Sequence, residues 1–381
     1  MNHETDLAFM CYKKKSMFVP ALGPQADLLQ PVSIRETHFS ALDGLRGLAA
    51  LMIVAHHSAL SYSMTNAFDK AYLRATSPLW IGVDLFFVLS GFLITNILLD
   101  TRRSSNYFRA FYGRRFVRIF PLYYSYLIAF FILLPALGIT LSPDVIRMQA
   151  WEWTYTANIY NGFHIFQDAN IEHFWTLAIE EQFYLLWPLI IFYTSEKHLK
   201  RGVIAVFLFL PPLRWACFEA GLSQAFIYNF TVTHSDGLIL GGLISIVFRE
   251  GMVDKLTSDA NQSKIRVLDR IVVGMFLVIS VGYYFVLGNH QFVFNMSTWP
   301  LSGQCIGITL ISLPMAYLVL RAVSPIPNLL QRAVSMKYLR SIGKYSYALY
   351  VLHAPICHWV GTSFPTPSFL ENSPGTWSFV H

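Results

Sequence analysis

An all-α fold, a polytopic bundle of transmembrane helices, is predicted by three observations. Of the 381 residues, 54% are hydrophobic and only 13% charged, against about 25% charged residues in an ordinary soluble domain. Apolar stretches long enough to cross a bilayer recur from Phe39 onward. Lys and Arg gather in alternate links between those stretches, the arrangement expected where links face the cytosol. The 31 Phe, 20 Tyr and 9 Trp suit lipid-facing surface and interfacial anchoring. Because the net charge of +6 is spread by sidedness, it implies no nucleic-acid partner.

Hydropathy over windows of about 19 residues places spans beginning near Phe39, Leu79, Val117, Phe174, Val203, Ile227, Ile271, Leu301 and Tyr338, about nine in all. Residues 1–38 read as a cytoplasmic N-terminal tail: Lys13, Lys14 and Lys15 precede an apolar stretch that Pro20 and Pro24 break before it becomes a signal-peptide core. The membrane domain is expected over residues 39–362. The links after spans two, four, six and eight carry the basic residues, while the alternate links hold only Lys70, Arg74 and Arg147. That asymmetry predicts a cytosolic N-terminus, and it leaves residues 363–381, without Lys or Arg, as an extracytoplasmic segment.

In span one, Arg46 and His57 stand eleven residues apart. Eleven steps of about 100° return to within roughly 20° of the start, so both side chains share one helix face, about 16 Å apart. A charge at mid-membrane costs at least about 2.5 to 3.5 kcal/mol. Arg46 is therefore either a snorkelling anchor or a ligand-binding fork, and His57 either a general base or an imidazole satisfied within the bundle. His56 points about 100° away and reads as structural. In span two, Asp84 lies a few residues in, where an interfacial or helix-start role outweighs one in chemistry.

The link after span two brings Arg114, Arg115 and Arg118, which fit the positive-inside signal, anionic membrane lipid, or a bidentate clamp on phosphate. The loop from Ser142 to Glu172 concentrates Trp151, Trp153, Tyr155, Tyr160 and His164; it suits an interfacial belt or a sugar platform. His173 reads as interfacial. In span four, Glu180 and Glu181 cannot both face one partner, so one is expected buried and paired with an arginine. Asp236 in span six needs a partner or water, with His234 nearby. His353 in span nine, before Pro355, either lines a site or is satisfied in the bundle. Cys11, Cys217, Cys305 and Cys357 are too scattered for a disulfide framework or a metal site.

The segments LDGLRGLAALMIVAHH, GVDLFFVLSGFLI, FYGRRFVRIFPLYY, FWTLAIEEQFYLLWP, THSDGLILGGL and GKYSYALYVLHAPI occur in that order. Together they resemble the acyltransferase 3 family of integral membrane O-acyltransferases, in its stand-alone form, which includes bacterial polysaccharide and O-antigen acetyltransferases. The family's opening Arg and His, with ten residues between them, are met by Arg46 and His57. Thr176 stands after Trp175 where the family usually has Ser, and His234 stands two residues before Asp236 where an Arg is common. Members usually have about ten helices, so a truncated C-terminal region is expected.

The resemblance implies a bacterial inner-membrane enzyme with no permanently bound cofactor. It takes an acyl group, acetyl above all, from cytosolic acyl-CoA as co-substrate to a hydroxyl of a carbohydrate or lipid-linked sugar acceptor. The residues carried over are His57, Arg46, Glu180 and Asp236 for catalysis, and Arg114, Arg115, Arg118, Trp175 and His353 for substrate. On this reading Arg46 and the arginines hold the donor, His57 acts as base or acyl carrier, and Glu180 or Asp236 orients it. A proton-coupled transporter and a catalytically inactive, truncated member are the alternatives.

Overall fold

The computed structural model describes residues 40–60, 67–164, 168–286 and 301–363. The tail of residues 1–38 and the segment beyond Ser363 lie outside the described residues. The principal helices are α1 (Ser40–Leu60), α2 (Gly82–Thr101), α3 (Tyr107–Ile128), α4 (Trp175–Tyr193), α5 (Glu196–Glu219), α6 (Asp236–Arg249), α7 (Gln262–Val286), α8 (Leu301–Ala322) and α9 (Ser346–Ser363). Among the described residues there is no strand. Four helical stretches, Ala71–Thr101, Tyr107–Ala136, Glu196–Glu219 and Cys305–Ala322, are long and apolar enough to cross a membrane.

α2 forms the middle of the bundle, in contact with α1, α4, α6 and α8. Its Leu85, Val88, Leu89, Phe92 and Leu98 are buried, and its polar Thr95 accepts a hydrogen bond from Trp187 Nε1 at 2.8 Å. Lipid tails are as apolar as leucine, so close packing rather than transfer from water must hold such helices together. At the α2–α6 crossing a Cβ on Gly241 would lie 2.1 Å from the Val88 carbonyl oxygen. Outward faces are apolar instead: Leu185, Leu186 and Ile190 of α4 and Leu208 and Phe209 of α5 are exposed, as a lipid contact requires.

Three expectations about the elements are corrected. The arginine-rich stretch predicted as a link is helical: Arg109, Arg114, Arg115 and Arg118 ride on α3, and the connection itself is residues 102–106. Long basic side chains reach an interface from within a helix, so charge alone does not end one. Span six does not begin near Ile227, because a short helix, Gln224–Asn229, and an irregular stretch precede α6. α6 has 14 residues, short of the roughly 20 a crossing needs, and Asp236 occupies its first turn. The last span starts at Ser346 rather than near Tyr338, after a separate short helix, Lys337–Lys344.

That short helix lies against the start of α1 at backbone contact. A Cβ on Gly343 would fall 1.7 Å from the Asp43 carbonyl oxygen, and one on Gly47 2.1 Å from that of Leu339. One on Gly44 would fall 1.6 Å from the carbonyl oxygen of Val334, at the end of the preceding short helix Leu329–Val334. The glycines flanking Arg46 in LDGLRGL are thus needed for close approach, and they fix where Arg46 sits.

Candidate active site

α1 connects two polar clusters, one around Arg46 and one around His57. Eleven residues at 1.5 Å each set them about 16 Å apart along the helix. Arg46 is half-buried and lies in the electrostatic field of Glu180, Tyr184, Asp43 and Arg115. Arg118 shares that field with Arg46, Arg115, Tyr184 and Asp43. Arg115 places its guanidinium carbon 5.2 Å above the Tyr184 ring and 5.8 Å from that of Phe111, a cation–π seat that aims it between α3 and α4. Glu180 accepts a hydrogen bond from Ser90 Oγ at 2.7 Å and feels both Arg46 and Arg115. Glu181 faces Arg115 and Glu180. Three guanidinium groups therefore converge while none is locked by a hydrogen bond to a described residue. Arg114 is not among them: it lies one step of about 100° around α3 from Arg115, apart from the field that Arg46, Arg115 and Arg118 share.

At the other end four histidines meet. His57 Nδ1 lies 3.0 Å from the Ile53 carbonyl and 3.3 Å from His353 Nε2. His353 Nδ1 lies 2.7 Å from the Tyr350 carbonyl. The rings of His57 and His353 are 4.7 Å apart, those of His173 and His353 5.0 Å, and those of His56 and His57 5.2 Å. His173, expected to be interfacial, is turned into the bundle and 3% exposed. The Tyr350 hydroxyl donates to the His173 carbonyl at 3.1 Å and is bonded to Thr176 Oγ1, so the hydroxyl kept at Thr176 clips α4 to α9.

Asp236 is placed elsewhere. It forms an ion pair with Arg214, a residue that the reading of the sequence left out. Arg214 Nη1 donates to Asp236 Oδ2 at 2.7 Å and Nη2 to Oδ1 at 3.2 Å. Its other donors reach the Thr233 carbonyl, the Cys305 carbonyl and Thr309 Oγ1, so all five N–H groups are used and the side chain is fully buried. The missing charge partner of Asp236 is thus supplied by α5, not from two residues before it. The sequence signal for Arg214 is akin to the one that marks Arg46: a charge set against an apolar run of its helix.

His234 instead faces Asp84, Nε2 to Oδ1 at 3.6 Å, and its Nδ1 sits 2.6 Å from the Tyr228 carbonyl. Asp84 is in the first turn of α2 as expected, but it is buried rather than interfacial, and it accepts from Ser312 Oγ at 3.2 Å. The Trp175 ring packs at 5.5 Å from His234 and 5.0 Å from Tyr228. In the loop before α4, Trp153 stacks on Tyr124 and Tyr155 on Tyr123, which turns both rings inward onto α3. Among the described residues no cluster of His, Cys, Asp or Glu has the form of a metal site.

Residues 39–380 match the model of the acyltransferase domain. The chain is 29% identical over 345 residues to the O-acetyltransferase OatA of Staphylococcus aureus, covering 86% of this chain and 52% of that protein. It is 25% identical over 358 residues to the peptidoglycan O-acetyltransferase OatA of Listeria monocytogenes, covering 89% of this chain and 52% of the other. The chain thus spans about half the length of the curated relatives it matches. No solved structure matches it. The ordered motifs, the helical bundle around α2 and a domain match that takes in both polar clusters have one reading: this chain belongs to the acyltransferase 3 family of integral membrane proteins.

Proposed function

We propose that the protein is a bacterial membrane O-acetyltransferase that takes acetyl from acyl-CoA at the cytosolic face and delivers it to a hydroxyl of a cell-wall glycan. The observation that carries this reading is the pairing, on one helix, of unlocked guanidinium groups at Arg46 with a histidine cluster at His57. The names of the Staphylococcus aureus and Listeria monocytogenes relatives support acetyl as the group, and that of the Listeria monocytogenes relative supports peptidoglycan as the acceptor class.

Arg46, Arg115 and Arg118 bind the phosphates of the donor through bidentate, charge-assisted hydrogen bonds. Glu180, held by Ser90, keeps the cluster from carrying three uncompensated charges in a low dielectric. The extended arm of the donor then follows α1 toward His57. The glycan hydroxyl oxygen attacks the thioester carbonyl carbon while His57 takes its proton. The carbon–sulfur bond breaks, the proton returns to the leaving thiolate, and the products are free CoA and an acetyl ester.

Incubating the purified protein with radiolabelled acetyl-CoA and peptidoglycan tests this directly. Label is expected in the glycan, and His57→Gln is expected to abolish transfer while the protein remains in the membrane. Full transfer by that variant, or solute uptake by proteoliposomes without acyl-CoA, overturns the reading.

A further inference from the structure

We infer that His353 is a positioning residue that fixes the tautomer of His57 and makes Nε2 of His57 the proton-accepting atom; this rests on the transferase reading above. A backbone carbonyl can only accept a hydrogen bond. His353 Nδ1, 2.7 Å from the Tyr350 carbonyl, therefore carries its hydrogen, and the Nε2 atom of the neutral ring is left with a lone pair. His57 Nδ1 faces that lone pair at 3.3 Å and the Ile53 carbonyl at 3.0 Å, two acceptors. Its hydrogen must then sit on Nδ1, shared between them. The lone pair of the neutral His57 ring is consequently on Nε2.

A carboxylate performs this duty in familiar base-assisted transfers, orienting the imidazole and stabilising the imidazolium that forms. Here a neutral imidazole does it. Asp236, the carboxylate expected to serve, is occupied by Arg214. When His57 gains the hydroxyl proton at Nε2, the charge appearing on Nδ1–H strengthens the bonds to the His353 lone pair and to the Ile53 carbonyl. No proton leaves the pair, so the one taken from the acceptor remains available for the thiolate.

The orienting ring is itself held. Its own helix supplies the Tyr350 carbonyl, and the Tyr350 hydroxyl is tied to the His173 carbonyl and Thr176 across the α4–α9 contact. The His173 ring closes the far side at 5.0 Å, nearly edge-on, and excludes another partner from that face. The chain Tyr350–His353–His57 joins residues 296 positions apart in sequence, which is why α1 and α9 must be packed before the base has a defined tautomer.

Two near-isosteric substitutions separate an acceptor from a mere space-filler. In His353→Gln the amide oxygen replaces the Nε2 lone pair; in His353→Met nothing does. With the full-length protein, labelled acetyl-CoA and glycan, His353→Met is expected to lower kcat by about 10²-fold with KM for acetyl-CoA unchanged. His353→Gln is expected to restore most of kcat. Equal loss in both variants, or a change in KM alone, overturns the proposal. If His353→Met fails to accumulate in membranes, His353→Phe makes the same comparison against His353→Gln. Activity in His57→Gln would instead remove the transferase reading itself, whereas an inactive His57→Gln beside a fully active His353→Met removes only the role of His353.

Discussion

Two of the arginines set in the helices of this protein, Arg46 and Arg214, are handled in opposite ways. Arg214 is fully buried and every N–H it owns ends on an acceptor, two of them on Asp236. Arg46 is half-buried, has carboxylates in its field and no hydrogen bond that locks it to a described residue. A saturated arginine has nothing left to offer a ligand, so its work is architectural: it joins α5, α6 and α8. An arginine whose fork meets no acceptor among the described residues, beside Arg115 and Arg118, is electrostatically prepared for an anion that arrives from outside. The position of a charge in an apolar stretch does not separate these two cases; the count of its satisfied donors does.

The largest effect is expected at the saturated pair. Removing one partner of a buried ion pair costs about 3 to 5 kcal/mol, because the other charge is left uncompensated. Asp236→Ala or Arg214→Leu should therefore strip the protein from membranes, or sharply lower its melting temperature in detergent. Replacing both residues by apolar ones should recover much of the loss. Single variants with normal abundance and abolished transfer would place this pair in the chemistry and erase the contrast with Arg46.

At Arg46 the expected effect is smaller and of another kind. Arg46→Lys keeps the charge and loses the planar fork. Membrane abundance should stay normal while KM for acetyl-CoA rises about tenfold, equivalent to about 1.4 kcal/mol of donor binding. Steady-state kinetics on matched amounts of protein check this. A drop in abundance like that of Arg214→Leu would show that both arginines are architectural.

The helical bundle and both ends of the α1 axis were legible in the sequence, because an apolar background makes each polar residue conspicuous and the helical period says which of them share a face. Arg46, His57, Glu180 and His353 stand out on that ground. Their partners do not. His353 meets His57 across 296 positions and Arg214 meets Asp236 across 22, through a turn whose course no helical period encodes. Arg114 and Arg115 read alike as sequence, yet one helical step separates a solvated cation from one seated on Tyr184. The shortness of α6 was hidden for a related reason: the apolar run from Phe226 to Leu240 spans a short helix, an irregular stretch and a helix start, which composition averages into one span.

Glu152 extends the comparison from cations to a carboxyl group. It lies on the helix Pro143–Trp153, between the long helices, with no solvent exposure. Oε2 accepts a hydrogen bond from the Tyr123 hydroxyl at 2.8 Å, and Oε1 has no hydrogen-bond partner among the described residues. Burial pushes the carboxyl up from 4.5 to about 8, so the folded protein holds it protonated near neutrality. The sign follows from the proton count. Unfolded chains release this proton near 4.5 and the folded protein near 8, so the stabilising contribution is complete below 4.5 and is lost as pH rises through 8. The solubilised protein should melt at a lower temperature at about pH 9 than at about pH 6. Glu152→Gln keeps an acceptor for Tyr123 and carries no charge, so at about pH 9 it should melt a few degrees above the parent, on the order of 2 to 4 °C per kcal/mol. At about pH 5 the two should nearly coincide. A constant offset at every pH would mean that Glu152, like Arg214, is already satisfied in its ionised form.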